Sequence, residues 1–214
     1  MTRIEDVRLA GELGVDAIGL VFAPRSPRRL DLAQALMVRG AVPASTAVVA
    51  LLMDQGHEEI ATMIAALRPD LLQFHGDEDD AFCAAFGLPF LKALPMRDIV
   101  AQEIPKQLAG YPSASGLVLD GHAPGAMGGG GQRFDWNALH GQTIGKPWLL
   151  AGGLNTGNVA QALRVAQPWG VDVASGIESA PGVKDHAKMR AFVAAVREAR
   201  FPLSPTPLPQ GERG

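Results

Sequence analysis

Short apolar runs alternate strictly with segments of helical spacing along this 214-residue chain, and this pattern limits the folds open to it. The runs are continuously apolar, which is typical of strands buried on both faces of a parallel sheet. Alternation of this kind favours βα repeats, and the chain length favours one closed barrel over an open doubly wound sheet. Seven strands are predicted, at Asp16–Phe22, Thr46–Met53, Leu71–His75, Pro89–Leu94, Gly116–Asp120, Pro147–Gly152 and Val171–Ser175.

The intervening segments have the spacing of amphipathic helices. The chain also opens on a helix, because Thr2-Arg3-Ile4-Glu5 has the form of a capping box and Gly14 is a good helix stop. We therefore predict a first helix from about Ile4 to Leu13. The other predicted helices include Leu32–Gly40, Glu58–Leu67, Asp98–Leu108, Val159–Ala166 and Asp185–Ala199.

Seven strands are one short of the number that closes a barrel. We expect an α/β fold, a (β/α)8 TIM barrel whose first strand is missing from this sequence, with unpaired edges on the strands beside the gap. Residues 1–200 form the single predicted domain. Residues 201–214 contain four prolines and no periodicity, so they are predicted to be a disordered tail.

Composition narrows the function classes. The net charge of −3 gives no general attraction to nucleic acid or to acidic membranes, so an anionic ligand must be held by local groups. No apolar run reaches the length of a membrane span, and the N-terminus has no apolar signal core. One cysteine suits a reducing compartment, and a cytoplasmic location is the default. No residue cluster has the spacing of metal ligands.

Glycine-bearing loops follow the last two predicted strands. In a barrel, adjacent late loops of this kind form a phosphate site, because backbone N–H groups and a helix N-terminus point at the anion. The alternative is that these glycines only form tight turns. The candidate phosphate-binding residues are Gly152, Gly153, Asn155, Ser175, Gly176 and Ile177.

Other polar residues stand at or near strand ends. Asp120 would face the barrel mouth, where burial suits a carboxyl group to general acid work, although it could equally be a loop aspartate. Arg28 could bind a carboxylate with two hydrogen bonds, or lie in a solvated loop. His75 and Asp172 are candidate substrate contacts that could instead order hydrogen bonds. Cys83 lies among apolar residues on a predicted outer helix and is interpreted as a buried hydrophobe.

Several segments together resemble the phosphoribosylanthranilate isomerase family, in the same order and spacing, from Thr2 to about Arg197. They include GLVF followed by SPR at 26–28, LQFHGDE at 72–78, GGGG at 128–131 followed by FDW at 134–136, AGGLN at 151–155 and GVDVASGIE at 170–178.

The resemblance implies a cofactor-free Amadori rearrangement in tryptophan biosynthesis, from N-(5-phosphoribosyl)anthranilate to 1-(2-carboxyphenylamino)-1-deoxyribulose 5-phosphate. Asp120 maps to the general acid, Arg28 to the arginine that holds the anthranilate carboxylate, and the two glycine loops to the phosphate site. A phosphorylated small molecule is the implied partner, for a monomer or homodimer that could associate with other tryptophan-pathway enzymes.

In the family that this sequence resembles, the general base is a cysteine at the end of the first strand. The resemblance places that cysteine two residues before Met1, so we expect little isomerase activity from the chain as written. A catalytically inactive phosphate-binding barrel or scaffold is therefore the main alternative. Indole-glycerol-phosphate synthase would need a lysine and a glutamate at strand ends, but the only strand-end lysine is Lys92, with no glutamate placed to pair with it. A ribulose-phosphate epimerase would need histidine and aspartate metal ligands, which the sequence lacks.

Overall fold

The computed structural model describes residues 1–97, 103–121, 134–139 and 142–200. Helices and strands alternate over most of these residues, as predicted, although the described helical segment between residues 120 and 148 is a 3₁₀ turn at Trp136–Leu139. The strands are β1 (Ala17–Val21), β2 (Ala47–Leu52), β3 (Leu71–Phe74), β4 (Phe90–Pro95), β5 (Gly116–Asp120), β6 (Trp148–Leu150), β7 (Gly170–Val171), β8 (Glu178–Ala180) and β9 (Val183–Lys184). The helices are α1 (Ile4–Glu12), α2 (Leu32–Arg39), α3 (His57–Leu67), α4 (Asp80–Ala84), α5 (Ile104–Ala109), α6 (Val159–Ala166) and α7 (His186–Arg200).

Strands β1 to β7 form one parallel sheet in sequence order. The register runs from Ala17 beside Ala47 to Leu150 beside Val171, and each strand pairs with the next along the chain. This order is that of a TIM barrel, with β1 and β7 at the two edges of the described sheet. The α/β fold class is therefore confirmed, and each of the seven predicted strands has a counterpart in the sheet. The bounds of the last one are wrong: the predicted Val171–Ser175 shares only Val171 with β7, and Ser175–Ile177 forms a 3₁₀ turn.

The two faces of the sheet bury different side chains because successive residues of a strand point to opposite sides. The outer face carries the large apolar residues that pack under the helices; Leu20, Leu72 and Leu119 are examples. The inner face has a small cluster of strand residues, Ala93, Val118 and Ala151. In the same alternation, residues 75, 120 and 172 belong to the inner face, at the carboxyl ends of their strands.

Helix α1 begins at Ile4 as predicted, but the predicted capping box is wrong. The N-cap is Arg3, with no side-chain cap, and the Thr2 hydroxyl instead donates to the carbonyl of Gly182. A distant loop thus competes successfully for the threonine. A true capping box occurs at α2, where Asp31 and Gln34 bond to each other's backbone N–H groups.

One predicted helix is described only in part, and one hairpin was not predicted. Helix α5 begins at Ile104, and residues 98–102 of the predicted helix lie outside the described residues. The antiparallel hairpin of β8 and β9 was not predicted, because its strands have only three and two residues. The glycine run 128–131 and the predicted tail 201–214 also lie outside the described residues. No described helix is both long and apolar enough to cross a membrane.

Candidate active site

A pocket of about 700 Å³, including its open mouth, lies at the carboxyl ends of the strands on the inner face of the sheet. Every strand-end residue that the sequence singled out for acid, base or carboxylate-binding work reaches this pocket. Its lining includes Ser26, Arg28, His75, Asp120, Gly152, Gly153, Asp172 and Ser175.

Asp120 ends β5 and is 5% exposed, so its carboxylate is shielded from bulk water while it lines the pocket. The neighbouring Gly152 leaves room for it. A Cβ atom at position 152 would lie 2.9 Å from Asp120 Oδ1 and 2.3 Å from the backbone nitrogen of Gly121, and the φ angle of +84° also favours glycine. This glycine therefore keeps the carboxylate accessible at the pocket wall.

Asp172 is a second carboxylate in the pocket. Its pKa is raised, first because its surroundings desolvate the charge and second because the negative charge of Asp120 acts on it. His75 also lines the pocket, and its Nε2 atom contacts the Gln73 side-chain amide on the same inner face of β3. Two carboxylates and one imidazole thus face one cavity, a set that is able to move protons.

The glycine loops after β6 and β7 are packed against each other. A Cβ atom at Gly176 would lie 1.8 Å from the carbonyl oxygen of Leu154, so only glycine permits this approach. Gly152, Gly153 and Ser175 line the pocket beside this contact. The two loops therefore present backbone at one corner of the mouth, as the sequence led us to expect.

Three of the predicted phosphate residues are placed differently. Gly176 and Ile177 belong to a 3₁₀ turn at Ser175–Ile177 and are not part of the pocket lining. Asn155 is exposed, its backbone N–H donates to Asn158 Oδ1 at 2.9 Å, and its side-chain Oδ1 accepts from Gly157 N. Asn155 thus uses these groups to shape the turn before α6.

Arg28 is distinguished from its neighbours by its surroundings. Arg25 and Arg29 are exposed, whereas the Arg28 side chain is 12% exposed and lines the pocket. Its Nε and Nη2 atoms donate to the two carboxylate oxygens of Glu178, at 2.8 and 2.6 Å. This ion pair was not predicted, because no local pattern connects residues 150 positions apart.

Glu178 is held from a second side. Lys184, opposite it on the β8–β9 hairpin, donates from Nζ to Glu178 Oε1 at 3.0 Å and to the carbonyl oxygen of Ala174 at 2.9 Å. Burial by itself would raise the pKa of Glu178, but the hydrogen bond from Arg28 and the charge of Lys184 hold the pKa below its usual range. The glutamate therefore remains charged between two cations.

Cys83 lies in α4 and is fully buried, as predicted. Burial raises the pKa of its thiol to about 12, so it has no tendency to ionise near neutral pH. It is also absent from the pocket lining. The interpretation of Cys83 as a small buried hydrophobe agrees with this environment.

The expectation that no glutamate pairs with Lys92 is wrong. Glu78 Oε2 lies 2.9 Å from Lys92 Nζ, which also lies 5.3 Å from the centre of the Tyr111 ring. The pair was hidden because Glu78 follows β3, 14 residues before the lysine. Lys92 shares its strand face with Phe90 and Leu94 of the outer core, so this pair faces the helices and not the pocket.

Comparison with known proteins gives the family. The profile described as N-(5'phosphoribosyl)anthranilate (PRA) isomerase matches residues 1–195. This chain belongs to the PRA isomerase family. It is 51% identical over 206 residues to the N-(5'-phosphoribosyl)anthranilate isomerase of Xanthomonas oryzae pv. oryzae, a match that covers 93% of this chain and 91% of that protein.

Solved structures of PRA isomerases have the same fold. The enzyme of Thermotoga maritima superimposes with a TM-score of 0.81 at 29% identity, over 92% of this chain and 95% of that one. A further structure is of monomers generated from that dimeric enzyme. Another PRA isomerase, bound to reduced 1-(o-carboxyphenylamino)-1-deoxyribulose 5-phosphate, has a TM-score of 0.78 at 26% identity, with 92% and 95% coverage.

Proposed function

We propose that this protein is an isomerase that converts N-(5'-phosphoribosyl)anthranilate to 1-(2-carboxyphenylamino)-1-deoxyribulose 5-phosphate in tryptophan biosynthesis. Membership of the PRA isomerase family supports the reaction. The observation that carries the proposal is the meeting of Asp120, Arg28 and two glycine loops in one pocket. That pocket offers an acid for the sugar, a cation for the carboxylate and backbone for the phosphate.

Asp120 is the proposed general acid. The reaction starts with protonation of the furanose ring oxygen, after which the ring opens to a Schiff base. A carboxyl group that is 5% exposed and lines the pocket is placed for this step, because a general acid must lie within reach of the atom that it protonates. The nearby Asp172 is coupled to this group, because desolvation and the negative charge of Asp120 raise the pKa of Asp172.

Arg28 is proposed to bind the anthranilate carboxylate. Its guanidinium group has five N–H donors, and Glu178 engages only one edge of it. The phosphate is proposed to bind at the Gly152, Gly153 and Ser175 corner, which is the part of the glycine loops that lines the pocket. The two anionic ends of the substrate would then span the mouth past Asp120.

The next step removes the proton from C2 of the sugar and gives an enolamine, which tautomerises to the ketone. Cys83 does not serve as the base, because it is fully buried with a raised pKa and does not line the pocket. Among the described pocket residues, His75 is the first to test, since an imidazole is able to accept a proton near neutral pH.

The domain organisation, location and oligomeric state of the protein are also proposals. We infer one catalytic domain over residues 1–200, a cytoplasmic location, and a monomer or homodimer that could associate with other tryptophan-pathway enzymes. No cofactor is needed for the rearrangement. Among the described residues, no group of three or more His, Cys, Asp or Glu side chains could hold a metal ion.

The test measures catalysis and binding separately. Growth of a tryptophan auxotroph that lacks this isomerase is scored with the present chain, and the purified chain is titrated with reduced 1-(o-carboxyphenylamino)-1-deoxyribulose 5-phosphate. Growth together with saturable binding supports the isomerase. Binding without growth or turnover would favour the inactive phosphate-binding barrel, and absence of both would refute the proposed function.

A further inference from the structure

We propose that Glu178 is a positioning residue that holds Arg28 in the orientation needed to bind the substrate carboxylate, while Lys184 balances the charge of the glutamate. This inference rests on the proposed function of Arg28. Glu178 does not line the pocket, so it acts through the arginine and does not touch substrate.

The geometry of the ion pair is specific. Both oxygens of Glu178 accept hydrogen bonds from one edge of the guanidinium group, at 2.8 and 2.6 Å. A two-point contact between planar groups fixes the plane of the arginine as well as its position. The Glu178 side chain is 4% exposed, which excludes most of the water that would compete for the arginine.

The hairpin that carries Glu178 is itself held in place. Lys184 binds both Glu178 Oε1 and the carbonyl of Ala174, and its own backbone N–H donates to Asp6 of α1 at 3.2 Å. Lys188 of α7 donates to the Glu178 carbonyl at 2.8 Å. Glu178 is thus supported by both flanking helices, as a residue that positions another should be.

Lys184 gives the cluster of Arg28, Glu178 and Lys184 a net positive charge. Arg28 and Glu178 alone would be neutral, and a neutral pair attracts a carboxylate weakly. With Lys184 only 3.0 Å from the glutamate, the cluster has two cations and one anion. The net positive charge lets Arg28 attract an anion even though one edge of its guanidinium group is already paired.

Glu178→Gln separates positioning from charge because the two effects have opposite signs. The substitution removes a negative charge beside Arg28, so simple electrostatics predicts tighter binding of any anion. Loss of positioning predicts weaker binding of a ligand that needs the oriented arginine. The ligands are reduced 1-(o-carboxyphenylamino)-1-deoxyribulose 5-phosphate and its phenyl counterpart without the carboxylate, with inorganic phosphate as a third probe.

The readout is the ratio of the dissociation constants of the phenyl and carboxyphenyl ligands. We expect Glu178→Gln to lower this ratio by about tenfold, the scale of one charge-assisted hydrogen bond. Affinity for inorganic phosphate should stay equal or increase. Arg28→Ala should lower the ratio by a similar or larger factor, and the double variant should show no further loss, because Glu178 acts only through Arg28.

Glu78→Gln is the matched control. Glu78 is also a buried glutamate that pairs with a lysine, Lys92, but it lies away from the pocket. Both variants should lower the unfolding temperature, and only Glu178→Gln should change the ligand ratio. If Glu178→Gln does not fold, Glu178→Asp keeps the charge, shortens the reach to Arg28 and should produce the same loss.

The outcomes separate this inference from the function it rests on. A wild-type preference for the carboxylate ligand that survives both Glu178 variants would overturn the positioning role alone. A ratio that rises in Glu178→Gln would show that the glutamate only competes for Arg28, and would also overturn it. If the wild-type chain does not distinguish the two ligands, the assignment of Arg28 fails and this inference fails with it.

Discussion

Among the described residues, two buried glutamates pair with lysines, and one of the two also binds an arginine that lines the pocket. Glu78 pairs with Lys92 among the outer-face residues, where the lysine is 2% exposed and lies near the Tyr111 ring. Glu178 pairs with Lys184 and also with Arg28, whose side chain remains 12% exposed at the pocket wall. The same pair of residue types therefore supports the frame in one region and the site in the other.

The difference shows that burial of charge does not by itself mark a functional site. A buried ion pair contributes little net stability and is costly to break wherever it lies. What distinguishes the Glu178 cluster is an additional cation with access to a cavity. Substitutions around Glu178 and the pocket should therefore affect catalysis and binding, whereas substitutions around Glu78 should affect mainly stability.

The largest effect should come from substitution of Asp120, the proposed general acid in the pocket. We expect Asp120→Asn to lower kcat by about 10²–10⁴, the usual range for loss of an acid/base group, with little change in the unfolding temperature. Steady-state kinetics of the Asp120→Asn variant and of the unchanged protein measures the loss of kcat. Asp16→Asn is the control, since Asp16 is exposed before β1 at the opposite end of the strand layer; comparable losses in both variants would contradict the assignment.

Substitution of Glu78, which pairs with Lys92, should affect stability more than catalysis. Glu78→Gln leaves the buried Lys92 ammonium without its carboxylate, which should lower the free energy of unfolding by about 3–5 kcal/mol. Denaturant unfolding measures the loss, and Lys92→Met combined with Glu78→Gln should recover part of it. A change in ligand affinity of the folded Glu78→Gln protein would show that the two regions are not independent.

A smaller effect is expected for the carboxylate contact. Arg28→Ala should weaken binding of the carboxyphenyl ligand by about 1.5–3 kcal/mol, the contribution of a hydrogen bond to a charged group. Isothermal titration calorimetry would detect this range. Arg25→Ala and Arg29→Ala should have minor effects because both side chains are exposed. Equal effects of all three would mean that the loop acts as a diffuse patch of charge.

The smallest effect is a contrast in pH dependence between two carboxylates. The pKa of Glu178 is lowered in the folded state, so its stabilising contribution is present above its unfolded value of 4.5 and is lost as pH falls below that value. The pKa of Asp172 is raised in the folded state because of desolvation and the charge of Asp120, so it destabilises above its unfolded value of 3.8.

Unfolding measured between pH 3 and pH 7 should therefore respond oppositely to two variants. Asp172→Asn should raise the free energy of unfolding at pH 7, and the gain should vanish on acidification. Glu178→Gln should lower the free energy of unfolding at pH 7, and the loss should shrink in acid. If both variants changed stability in the same direction at pH 7, the proposed electrostatic difference between them would be wrong.

Local patterns in the sequence are sufficient to predict the layout of the barrel and most of the pocket wall. Continuous apolar runs located β1 to β7, because burial on both sheet faces leaves a local signature in each strand. Parallel strands bring their carboxyl ends to one edge, so Asp120, His75 and Asp172 could be placed together before the structure was known. Their chemical roles came from the family resemblance, since position alone does not distinguish an acid from a loop aspartate.

The partners of the charged and polar groups, in contrast, depend on how the chain folds. The Arg28–Glu178 pair joins residues 150 positions apart, and Thr2 bonds to Gly182 instead of capping α1. Glu78, which follows β3, reaches Lys92 on the neighbouring β4. Hydrogen bonds and ion pairs act over a few ångströms, so they depend on which surfaces the folded chain brings together. Local hydrophobic periodicity specifies the strands and helices but has no information about those contacts.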